Sequence, residues 1–109
     1  MKKQFMYQNL TLDTIRFRLA KTADWRREKA TAYQDDPRNI SAEKQLRKLA
    51  AEDSGGVELS LWSELEPFAT SLTLRDAINV ASREVGFRTN PKDLSDFLAS
   101  VVSKLPAAH

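Results

Sequence analysis

Residues 10–33 hold the longest helical pattern in the chain, and they carry two apolar stripes rather than one. Leu12, Ile15, Leu19, Ala23, Ala30 and Tyr33 recur at steps of three and four, so a helix gathers them on one face that must be buried. Phe17, Trp25 and Ala32, with Lys21 and Lys29 between them, point nearly the opposite way. A helix with aromatics on both sides is either central to its own domain or partly committed to a partner. This pattern limits the chain to folds in which a long helix supplies one wall of the core.

The rest of the chain supplies further helices. Asp35-Asp36-Pro37 opposes continuation of the first helix beyond about Gln34 and then starts the second. Asp36 is placed as its N-cap, and Pro37 stands at the first helical position, where a missing amide costs nothing. The second helix, over about 37–52, has the apolar set Ala42, Leu46, Leu49 and Ala50, with Glu43 and Arg47 spaced for an ion pair. Asp53-Ser54-Gly55-Gly56 is the clearest break in the chain.

Beyond the break, Val57, Leu59 and Leu61 alternate as a strand would, while Leu61, Leu65, Phe68 and Leu72 recur at helical steps. The helical period predicts a third helix starting between Ser60 and Ser63, with Ser63 and Glu66 as a capping box and Pro67 in the first turn. Thr73 and Asp76 are placed to open a fourth helix, with Leu72 and Ala77 as a staple, and Leu74, Ala77, Ile78, Ala81 and Val85 on its inner face. Gly86 is expected to close it in a Schellman end, with Phe87 making the apolar contact. Asn90-Pro91 with Asp93 predicts a fifth helix, whose stripe is Leu94, Phe97, Leu98, Val101 and Leu105.

The expected fold is therefore all-α: a compact bundle of about five helices in one domain. It consists of an N-terminal arm (1–9) docking Phe5, Met6 and Tyr7, a helical hairpin (10–52), a Gly-Gly loop (53–56) and a three-helix part (57–106). Thr11 or Asp13 is the expected cap of the first helix. At 109 residues the chain is long enough for a core of its own.

Composition narrows the function. Cysteine is absent, which removes disulfides, thiolate metal sites and cysteine nucleophiles together. The only histidine is His109, the last residue, so a histidine base and a Ser-His-Asp triad are not expected. The carboxylate pairs Asp35–Asp36, Glu64–Glu66 and Asp93–Asp96 read as caps or solvated faces, and no glycine-rich phosphate loop is present. No catalytic, cofactor-binding or metal-ligating residue is assigned, and no cofactor is expected. The chain opens on polar sequence and has no long apolar run, which places it in the cytoplasm with no membrane partner.

The formal charge is only +2, but residues 1–54 carry 12 Lys/Arg against 8 Asp/Glu, while residues 55–109 carry 5 against 7. The basic half holds the second stripe. Phe17, Lys21, Trp25, Arg26 and Lys29 are accordingly the expected partner-binding residues, because an exposed tryptophan beside arginines is typical of interface anchors. The chemistry points to a small non-enzymatic regulator, inhibitor or adaptor that binds another protein or a second copy of itself. The alternative is a helix-turn-helix DNA-binding protein using residues 74–105, weakened by the lack of arginine in its reading helix.

Overall fold

A computed structural model describes the backbone of residues 2–106 and the side chains of residues 12–106 other than Ser54. It is an all-α bundle of five α-helices among the described residues. They are α1 (Lys2–Ala32), α2 (Arg38–Ala51), α3 (Leu59–Leu65), α4 (Leu72–Glu84) and α5 (Leu94–Ser103), with short 3-10 turns at Ser54–Gly56 and Glu66–Phe68. Thirty-one helical residues span about 46 Å, close to the longest dimension of the molecule, 49 Å.

α1 is the axis of the bundle. It packs most extensively on α2, as the short turn between them dictates, and then on α4; α5 covers α4 and α3. Ile15, Leu19 and Ala23 from the first stripe are buried with Leu46 and Leu49 of α2, Ile78 and Ala81 of α4 and Phe97 of α5 in one continuous cluster. Polar contacts fix the registers. Thr22 and Ser82 share a hydroxyl hydrogen bond of 2.7 Å between α1 and α4. Arg47 reaches both Glu43, on its own helix, and Asp24 across the hairpin, each at 2.9 Å. At the C-cap of α2, Glu52 Oε1 accepts from the Leu94 amide and so anchors the start of α5.

Several expectations are corrected. The backbone of residues 2–9 continues α1 instead of forming an arm. Lysine, glutamine and methionine are good helix formers and no glycine or proline intervenes. The docking of Phe5, Met6 and Tyr7 concerns side chains outside the described residues, as does a cap by Thr11, while Asp13 is an exposed residue inside the helix. Tyr33 lies just past α1 and is 59% exposed, so the first stripe ends before it.

The third helix begins at Leu59, just before the expected range of Ser60 to Ser63, with Glu58 at its N-cap position in place of the Ser63 capping box, and Pro67 sits in the 3-10 turn that follows. Trp62 is its buried anchor. No strand forms at Val57–Leu61; the only β-type pairing among the described residues is a bridge between Val85 and Thr89. α4 is capped by Ser71, whose Oγ accepts from the Leu74 amide at 3.2 Å, in place of Thr73. Leu72 is 64% exposed and so forms no staple. α5 starts at Leu94 behind Asp93, which accepts from Asp96 N at 2.9 Å; Asn90-Pro91 belong to the preceding loop. Among the described residues no helix is long and apolar enough to cross a membrane.

Candidate binding surface

Phe17 is 53% exposed and Trp25 37%, on the face of α1 turned away from Ile15 and Leu19. Lys21 is exposed between them, with its Nζ 5.6 Å from the Phe17 ring centroid. Lys29, half-buried, lies 5.7 Å from the Trp25 ring and 5.5 Å from that of Tyr33. Four of the five expected residues thus line one aromatic and basic strip. Cations over ring faces hold the rings in position and leave their edges to solvent.

Arg26 departs from the expectation. It is 7% exposed, on the side of α1 that faces the α1–α2 turn and the end of α4. Its Nη1 donates to Asn39 Oδ1 at 3.2 Å and its Nη2 donates to the Arg83 carbonyl. Its guanidinium lies 4.5 Å from the Trp25 centroid and 3.9 Å from that of Phe87. Arg26 therefore props up Trp25 from behind instead of meeting a partner directly. Burial, followed by the like charges of Arg38 and Arg83, lowers its pKa, and Asp36 works in the opposite direction.

Phe87 joins this cluster from the loop after α4. Its ring also carries the Arg38 guanidinium at 4.6 Å, so the contact foreseen as a Schellman closure is made to two arginines of the hairpin. Gly86 makes this possible: with φ at 81° it turns the chain directly after α4. Neither Phe87 nor Asn39 could be picked out beforehand, because nothing on their own segments announces contacts with residues 13 or more positions away.

Asp36 fixes the turn beneath the cluster. Pro37, not Asp36, takes the N-cap position of α2, so the expected cap is corrected by one residue; Asp36 Oδ1 still accepts from the Arg38 amide at 3.1 Å, and its two oxygens take Arg38 Nε and Nη2 at 2.9 and 2.8 Å. These bonds lower its pKa from 3.8 to about 2. A carboxyl whose folded pKa lies below its unfolded one contributes stability that is complete above the unfolded value and vanishes as pH falls through the folded value. Melting temperatures of wild type and Asp36→Asn are therefore expected to differ above about pH 4 and to converge toward pH 2. A constant gap across that range would show that the ionised carboxylate is not the source.

The remaining carboxylate pairs have structural partners or lie in solvent. Asp93 is a cap, Asp96 accepts from the Lys92 amide, and Glu64 and Glu66 are exposed. No group of three or more metal-ligating side chains occurs among the described residues. Comparison with protein-family models, curated proteins and solved structures finds no match to this chain.

Proposed function

We propose that this chain is a small non-enzymatic binding protein that regulates, inhibits or adapts another protein through the face formed by Phe17, Lys21, Trp25 and Lys29. The exposure of Phe17 and Trp25 on a helix that already buries Ile15, Leu19 and Ala23 carries this reading. Exposed aromatics ringed by cations fit a partner surface with apolar hollows and an acidic rim. A second copy of the chain is a less suitable occupant, since it would set Lys21 and Lys29 against their own kind unless carboxylates intervened. For DNA recognition through residues 74–105, α5 is a poor reading helix: Leu94–Ser103 contains no cation, and Asp96 is exposed in its first turn.

The test is affinity capture from the native host, with and without nuclease, comparing wild type with Phe17→Ser/Lys21→Glu. Both positions are exposed and stand clear of the Arg26 contacts, so the variant should melt within a few degrees of wild type. Trp25 is unsuitable for this purpose because its removal would uncover Arg26. A nuclease-resistant partner retained by wild type and lost by the variant is the expected result. Retention of that partner by the variant removes this face as the site, and loss of the wild-type partner after nuclease treatment transfers the reading to nucleic acid.

A further inference from the structure

A buried arginine ordinarily faces a carboxylate, because an uncompensated charge away from water is costly. Arg26 is more than nine-tenths buried and has no carboxylate partner among the described residues. Its Nε makes no hydrogen bond at all. Aromatic faces, one amide oxygen and one carbonyl oxygen share its charge, while Arg38 beside it is already neutralised by Asp36.

Beside Arg26 a hollow of about 320 Å³ opens at the end of α4, lined by Val80, Arg83, Glu84, Phe87 and Arg88 as well as Arg26 itself. Arg83 and Arg88 are exposed at its mouth and have no carboxylate partner among the described residues. The one acid present, Glu84, is held by Lys104 at 3.0 Å. The hollow thus presents three guanidinium groups whose charge no acid in its wall balances, next to the apolar surfaces of Val80 and Phe87.

We propose that this hollow is a phosphate-monoester site, in which Arg83 and Arg88 take the phosphoryl oxygens in front of Arg26 and the organic group rests on Val80 and Phe87. A monoester carries a charge of about −1.5 to −2 at neutral pH. That suits three cations better than a single carboxylate does, and the forked guanidinium matches its oxygens. The volume exceeds what a phosphoryl group fills, leaving room for the carbon portion. The site adjoins the Trp25 end of the proposed partner face, since Arg26 and Arg83 lie 4.5 and 5.8 Å from the Trp25 ring centroid, but it includes neither Phe17 nor Lys21, so the titration below tests it apart from that reading.

The experiment is a titration of the full chain, followed by amide and arginine Nε chemical shifts, with phenyl phosphate, inorganic phosphate and benzoate. It is repeated on Arg83→Gln/Arg88→Gln and on Arg88→Gln alone. Phenyl phosphate is expected to shift Val80, Phe87 and the Arg26 Nε resonance. Benzoate should bind about tenfold more weakly and the double variant should weaken phenyl phosphate by about tenfold or more, with Arg88→Gln intermediate. Both arginines are exposed, so the variants should keep the wild-type melting temperature within a few degrees. Inorganic phosphate binding as tightly as phenyl phosphate would assign the site to the free ion and overturn the monoester. Equal affinity for benzoate, or phenyl phosphate shifts that survive the double variant, would overturn the phosphoryl site altogether. Salt-sensitive binding of a DNA duplex without any phenyl phosphate response would overturn it in favour of nucleic-acid backbone contacts.

Discussion

Phe97→Ala is expected to remove about 3–5 kcal/mol of stability, a large part of what a small domain possesses. The ring is fully buried, on the α5 face that also holds Leu94, Leu98 and Val101. Truncation deletes the most voluminous of the fully buried side chains and leaves a cavity in the middle of the cluster, where α5 meets α4 and α3. The surrounding helices cannot close over that space without moving Leu98 and Val101 off their own contacts, so the loss should lie within the upper range for core truncations. For a domain near this size the melting temperature should fall by about 15 °C or more. Calorimetry on the purified variant decides the matter. A melt within a few degrees of wild type would mean that α5 is peripheral and that the bundle is held together by the hairpin and α4 alone.

The inner stripes of α2, α4 and α5 were legible in the sequence, because a 3.6-residue period needs no knowledge of tertiary structure. Ala42, Leu46 and Leu49, then Leu74, Ala77, Ile78, Ala81 and Val85, then Leu94, Phe97, Leu98 and Val101 all lie in the core. Helix starts were harder to read. Ser63, Thr73 and Asn90 each have capping chemistry, yet the chain enters its helices behind Glu58, Ser71 and Asp93. Which of several nearby candidates caps a helix depends on where the preceding turn delivers the backbone, and that is settled by packing.

The second stripe of α1 follows from helical geometry, and Phe17, Lys21 and Trp25 are exposed as it implies. Arg26 lies one step from Trp25, and local sequence alone makes it another flanking cation. It is buried because Asn39 on α2, the Arg83 carbonyl at the end of α4 and Phe87 in the next loop converge on it. Those partners are 13, 57 and 61 residues away in the chain, so the hollow beside Arg26 exists only in three dimensions.

Gly86→Ala should produce the other large effect, about 2–5 kcal/mol, from two causes that can be separated. With φ at 81° the residue occupies left-handed backbone, which costs a residue with a Cβ about 1–2 kcal/mol. A Cβ built there would also stand 2.9 Å from the Ala42 Cβ and 3.2 Å from the Ala42 Cα. Both atoms belong to the buried Ala42, near the start of α2, so the relief has to come from the loop that carries Phe87. The crowding adds about 1–3 kcal/mol. Combining Gly86→Ala with Ala42→Gly removes the closer contact but leaves the backbone strain, and glycine inside α2 costs about 1 kcal/mol by itself. Denaturant titrations of both single variants and the double should therefore show a double variant more stable than the sum of the two losses predicts. Strict additivity would show that Ala42 does not obstruct position 86, leaving the dihedral angle as the whole cause. Displacement of Phe87 would also deprive Arg26 of an aromatic face, so Gly86→Ala should weaken phenyl phosphate binding even at temperatures where the variant is fully folded.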